Sequence, residues 1–115
     1  MDLVCRHTRV AERAVLHVSG EIDLATLPAF RDHLTRLIDA NVGGTVHVDL
    51  DGVTVLDDTG LGMLLGAAGR ARRHGGDLCV VCTTPSLLER FELTGLSRAV
   101  DITSGASGAT STTAD

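Results

Sequence analysis

Residues able to do chemistry gather at two places in the chain. Asp57-Asp58-Thr59-Gly60-Leu61-Gly62 sets two carboxylates beside a hydroxyl, directly before a run with helical spacing. Ser19-Gly20-Glu21-Ile22-Asp23 adds two more acids in a stretch that reads as a turn. If a sheet carried both to the same end, Glu21, Asp23, Asp57 and Asp58 would form an acidic cluster, since functional groups collect at the C-terminal ends of strands in open α/β sheets. Three chemistries suit such a cluster. The acids can cap helix N-termini and solvate loops. They can hold a divalent cation, as in an aspartyl-phosphate receiver. They can form a recognition surface for a protein partner, carrying a hydroxyl that accepts phosphate. A receiver also needs a lysine beside its acyl phosphate, and all 10 basic residues here are Arg. The same absence excludes a P-loop lysine and Schiff-base catalysis.

The thiols are the second candidate. Cys79-Val80-Val81-Cys82 has the spacing of a redox pair, with Cys5 standing apart. The pair sits in a strand-like run, where residues i and i+3 point to opposite faces. The sulfurs are therefore expected to stay apart as small buried hydrophobes. No further ligands at matching spacing suggest a metal, and no cofactor is expected. Three cysteines, an odd number, agree with a reducing compartment. With no signal pattern at the N-terminus and no apolar run near the ~18–20 residues of a span, a cytoplasmic protein is expected.

Elements that would position these groups follow from periodicity. Residues 3–8 and 14–18 read as strands joined through Val10 to Arg13. His17 lies within an apolar strand and reads as a satisfied structural histidine. A helix is predicted from Thr26 to Asp39, with Pro28 in its first turn and Leu27, Phe30, Leu34, Leu37 and Ile38 on its apolar face. Val46, Val48 and Leu50 alternate with polar residues as in a strand, and Asp51-Gly52 is turn chemistry. Asp57-Asp58-Thr59 supplies N-cap candidates for a helix through Leu61, Leu64, Leu65 and Ala68. Arg70, Arg72, Arg73 and His74 load its last turn with cations, and Gly75 suits the C′ position. Asp77 to Thr83 is a strand apolar on both faces, expected at the centre of a covered sheet. Thr84-Pro85 opens a helix running through Leu93, with Leu87, Leu88, Phe91 and Leu93 turned inward, and Gly95 closes it. Arg98 to Ile102 reads as a last strand. Residues 103–115 are Ser, Gly, Thr and Ala up to a final Asp115, without periodicity, and are expected to be a disordered tail.

The layout is one α/β domain over residues 1–102, with a mixed sheet of four or five strands and helices mainly on one face. Alternating strands and helices after residue 46 call for parallel neighbours, and the opening hairpin adds an antiparallel edge. The chain of 115 residues is 43% hydrophobic but only 2% aromatic, so its core must be aliphatic around Phe30 and Phe91. A net charge of −5 argues against nucleic acid as a partner. One feature exceeds good helix design: the central helix carries Gly60, Gly62, Gly66 and Gly69, each costing about 0.5–1 kcal/mol relative to Ala. Either the helix packs closely on its neighbours, or a partner backbone approaches its start at Gly60 and Gly62.

The motifs resemble those of the STAS family, the bacterial anti-sigma factor antagonists and their relatives. That family reads aspartate, serine, serine or threonine, then Gly-Leu-Gly at a strand-to-helix junction, which here is Asp57-Asp58-Thr59-Gly60-Leu61-Gly62. Gly20-Glu21-Ile22-Asp23 resembles its Gly-Glu-Leu-Asp turn, and Thr94-Gly95-Leu96 its late Thr-Gly-Leu. The resemblance spans about residues 14–102. It implies the same sheet layout and a non-catalytic protein. A monomer or weak dimer is expected, and charge and hydropathy leave nucleic acid and membrane out as partners. The resemblance implies a partner, an anti-sigma factor that is itself a serine kinase, whose capture frees a sigma factor. Partner contacts would fall on Asp23, Asp57, Asp58, Thr59, Gly60, Leu61 and Gly62. Phosphate at this helix start would add roughly −1.5 to −2 charges and switch binding electrostatically. The family's acceptor position is Asp58, which has no hydroxyl. Thr59 is the hydroxyl left for regulatory phosphorylation, unless Asp58 holds the site in one state. The family usually ends in a further helix, for which residues 103–115 have no apolar face. Other readings of such a chain are a STAS scaffold or ligand-sensing module in a larger assembly, and a thiol-based redox-responsive protein.

Overall fold

Val46, Val48 and Leu50, the alternating apolar residues of the central strand, are at most 1% exposed and form the floor of the core. The strand runs further than its pattern suggests. In the computed structural model, which describes residues 2–104, the elements are β1 (Leu3–Val10), β2 (Arg13–Ile22), α1 (Leu27–Asp39), β3 (Thr45–Leu56), α2 (Asp58–Arg73), β4 (Asp77–Val81), α3 (Pro85–Thr94), α4 (Leu96–Ala99) and β5 (Asp101–Thr103). The sheet has five strands in the order β1-β2-β3-β4-β5. β1 and β2 are antiparallel, and the other pairs are parallel. Sequential order with right-handed crossovers puts the helices on one face. Accordingly, the buried side chains of α1, α2 and α3 share one cluster with Leu16, Val18, Val48, Leu50 and Val80 of the sheet. Phe30 and Phe91 are fully buried in it.

Four boundaries differ from the periodicity, and each difference has a tertiary cause. Residues Ser19 to Ile22 are not a turn but the end of β2, where Gly20 takes φ +101° and a Cβ would collide with the backbone carbonyl of Asp2. Asp51-Gly52 is not a turn either. β3 continues through it because Gly52 faces Ser19 across a register shift, where a Cβ at Gly52 would stand 2.7 Å from the Ser19 Cβ. Asp51 instead holds the end of β4, accepting from the Thr83 N–H (2.6 Å) and Oγ1 (3.0 Å); regular strand stops at Val81, not Thr83. The predicted strand from Arg98 is replaced by α4, with β5 following it.

The hairpin turns at Ala11-Glu12, with φ of +51° and +72°, the twist that suits a two-residue connection. α1 buries Phe30, Leu34, Leu37 and Ile38, with Leu27 only partly covered. Leu65 and Leu93, read as inward from their spacing, are 44% and 78% exposed. Gly95 closes α3 in the left-handed conformation, as its sequence position predicts. Thr103 belongs to β5 rather than to a tail; the predicted disorder beyond Ser104 lies outside the described residues.

Candidate functional site

Parallel pairing of β2 with β3 sets the site. Ile22 stands opposite Leu56 at the C-terminal end of both strands. One residue on, the Asp57 N–H donates to the Ile22 carbonyl (3.1 Å). Asp23 and Asp57 therefore leave adjacent strands side by side, and the two acidic stretches meet on one rim.

The acids have separate jobs there. Asp23 closes the loop into α1: its Oδ1 accepts the N–H groups of Ala25 (3.0 Å) and Thr26 (3.1 Å). Thr26, only 8% exposed, donates its hydroxyl to the Glu21 carbonyl (2.7 Å). Leu24, between them, is 78% exposed. Asp57 is the extended N-cap residue of α2, and its carbonyl accepts the Gly60 N–H (3.0 Å). The Thr59 hydroxyl, exposed, donates to Asp57 Oδ1 (2.6 Å). Asp58 opens the helix with its side chain 89% exposed. Its Oδ1 accepts from the Arg90 guanidinium of α3 (2.8 Å). Arg90 escaped the sequence reading, because nothing local links residues 32 positions apart.

The glycines divide by direction. Gly60 is buried, and a Cβ there would meet Leu56 Cδ1 at 2.7 Å and Ile22 Cγ2 at 2.8 Å. Leu61 is 5% exposed and belongs to the core. Neither Gly60 nor Leu61 offers a partner a surface, which corrects their expected place in the contact; they seat the helix start on the sheet. Gly62 is exposed with nothing within 4 Å of its Cβ position, and Gly66 is equally open. Close packing inside the fold thus accounts for Gly60 and not for Gly62 or Gly66.

Chemically, the rim presents a helix N-terminus, an exposed hydroxyl at its second residue and a guanidinium one loop away. Helix N-termini favour negative charge, because their first N–H groups lack partners. A phosphoryl group on Thr59 would sit within that field. Among the described residues, no group of three or more His, Cys, Asp or Glu side chains could hold a metal ion. None of their helices is long and apolar enough to cross a membrane.

Cys5, Cys79 and Cys82 are free thiols. Burial pushes all three up from the ordinary thiol range, away from reactive thiolate. Cys82 lies in the core cluster under the helices and Cys79 outside it. On the face without helices, His17 has both ring nitrogens partnered, Nε2 with Thr8 Oγ1 (2.9 Å) and Nδ1 with Asp49 Oδ2 (3.1 Å). It is a structural histidine, as its apolar context indicated.

Comparison with known proteins points the same way. The family model of the STAS domain matches residues 6–109. An anti-sigma-B factor antagonist of Bacillus subtilis is 31% identical over 93 residues, covering 81% of this chain and 84% of that protein. One from Listeria monocytogenes is 33% identical over 87 residues, covering 76% and 75%. Among solved structures, an anti-sigma factor antagonist from Mycobacterium paratuberculosis superposes with a TM-score of 0.83 at 24% identity, covering 94% of this chain and 91% of that one.

Proposed function

This chain belongs to the STAS domain family, and we propose that it is an anti-sigma factor antagonist. It binds an anti-sigma factor of the serine-kinase type in the cytoplasm and so releases a sigma factor. The reading is carried by one observation: the Asp57-to-Gly62 motif stands at an open helix N-terminus, with Asp58, Thr59 and Gly62 exposed on one rim with Asp23 and Leu24. Relatives sharing about a third of the sequence are named for this activity. The protein acts by contact and catalyses nothing. It works as a monomer or weak dimer.

The contact surface comprises Asp23, Asp57, Asp58, Thr59 and Gly62, with Gly60 and Leu61 supporting it from beneath. Leu24 supplies an apolar contact that the motif alone does not reveal. Regulation is electrostatic. Phosphate on Thr59 adds roughly −1.5 to −2 charges to a surface already holding acids, and an acidic partner face is repelled. Asp58 stands where relatives would be expected to carry the acceptor and acts as a partial phosphate mimic. Its single charge is offset by Arg90, so the site retains affinity. Replacing Asp58 by Ser removes a carboxylate and leaves the Arg90 charge uncompensated, which favours an acidic partner.

The test is calorimetric affinity for the cognate anti-sigma factor. Asp58→Ser should tighten binding about tenfold or more, about 1.4 kcal/mol. Thr59→Glu should weaken it by a similar factor, and Thr59→Ala should leave it unchanged. Equal affinity in all three variants removes the α2 N-terminus from the interface.

A further inference from the structure

We infer that the groove between α1 and α2 binds an amphipathic organic anion, a carboxylate or phosphate on a slender apolar tail. The inference stands apart from partner binding, because it concerns the flank of α2 and not its N-terminus.

The groove encloses about 250 Å³. Leu34, Ile38, Met63 and Ala67 supply its apolar lining, and Arg31, Arg70 and Arg73 its charge. This is a concentration of cations in a chain of net charge −5. Arg70 is tied to Asp39 at 3.0 Å. Among the described residues, the side chains of Arg31 and Arg73 have neither a hydrogen bond nor an ion pair. A guanidinium without an acid at an end of an apolar slot is the complement of an anionic amphiphile.

Shape selects the kind of ligand. From Met63 to Arg73 the groove follows α2 for about 15 Å at ~1.5 Å per residue. A groove of about 250 Å³ suits a small molecule with an extended tail. The slot exists because α2 carries Gly66, where a Cβ would meet nothing within 4 Å. No contact inside the fold requires that glycine, and any larger side chain would project into the space.

The helices also set the orientation. α1 and α2 both return between parallel strands and so run parallel, with Arg70 and Asp39 fixing their register. Arg31 lies eight residues before Asp39 and Gly62 eight before Arg70, so Arg31 stands level with Gly62. At the opposite end Arg70 is already paired with Asp39, and Arg73 stands at the C-terminal turn of α2, whose dipole opposes an anion. The headgroup therefore sits at Arg31, with the tail running toward Ile38 and Ala67.

The experiment titrates the ¹⁵N-labelled protein with decanoate and decyl phosphate. Decanol and decyltrimethylammonium serve as neutral and cationic controls. Saturable amide shifts at Met63, Gly66 and Ala67 are expected for the anions alone. The dissociation constant should rise about tenfold in Arg31→Gln and less in Arg73→Gln. Gly66→Leu should abolish the shifts while melting no lower than the parent, since a Cβ there meets nothing within 4 Å. Co-sedimentation with anionic lipid vesicles separates the sources. Binding of monomeric decanoate without co-sedimentation indicates a free organic acid, and both together a lipid. Three outcomes overturn the proposal: no saturable shift with either anion below about 1 mM, shifts equal with the cationic control, or co-sedimentation without decanoate binding.

Discussion

Arg90 Nη2, on α3, lies 2.8 Å from Asp58 Oδ1 at the first residue of α2. This contact joins the start of the motif helix to a helix that follows a different strand. Exposed ion pairs add little stability, so its consequence falls on charge. Arg90→Gln should change unfolding free energy by less than about 1 kcal/mol. It should also lower affinity for the anti-sigma factor, because the rim then carries one more uncompensated carboxylate. Denaturant titration and calorimetry on the same variant measure both. Unchanged affinity would leave α3 outside the contact and Asp58 unmodulated by its neighbour.

Glycines on one helix should respond in opposite senses. Gly60→Ala drives a methyl against Leu56 and Ile22 at under 3 Å, and overpacking of this kind costs about 1–3 kcal/mol. Gly62→Ala meets open space and should stabilise the helix by about 0.5–1 kcal/mol. Urea unfolding of the two variants decides the matter. A neutral Gly60→Ala would mean that the helix start can move off the sheet.

Acid should weaken the fold through histidine. Among the described residues, His47 Nδ1 is buried without a hydrogen-bond partner. Burial lowers the pKa of His47, with the Arg13 charge adding to the effect. His7 is lowered too, first by burial and then by the charges of His33 and Arg36. As pH falls through about 6.5, the unfolded chain takes up these protons before the folded one does. The unfolded state then binds more protons, so stability declines on acidification and is full above that range. Chemical denaturation from about pH 7.5 to about pH 5.5 should show the decline, and His47→Gln should flatten it. An unaltered slope in that variant would assign the effect to other groups.

Cys79 and Cys82 should react slowly with a thiol reagent in the native protein and rapidly once it is unfolded. Burial is the largest influence on each of them, and Cys79 and Cys82 are separated by the sheet. Rapid native modification of these two, or a mass showing an internal disulfide between them, would revive the redox reading.

Much of the fold was legible because it is local. Leu34, Leu37 and Ile38 mark the inner face of α1 by spacing alone, and all three are buried. Gly95 announces the end of α3 because few other residues accept its φ of +86°. Leu93 and Leu65 mislead for the complementary reason: spacing names a helix face, but exposure depends on what the fold lays against it. Arg98 sits in the short α4 and not in a strand, since the chain needs one more turn to bring Asp101 beside Cys79.

By itself, the sequence determined the alternation of strand and helix, the parallel sheet it entails, the helix start at Asp57 and the family to which the motifs belong. These rest on residue-to-residue periodicity and capping, which act within a few positions of the chain. Tertiary structure alone decided that Asp51-Gly52 stays in strand, because pairing with β2 satisfies more backbone groups than a turn there would. It decided which glycine of α2 is enclosed and which are open, a matter of the helix's rotation against the sheet. It also decided that Asp58 meets Arg90. Charges far apart in sequence become neighbours when three parallel strands align their following loops on one edge, and only the folded sheet supplies that alignment.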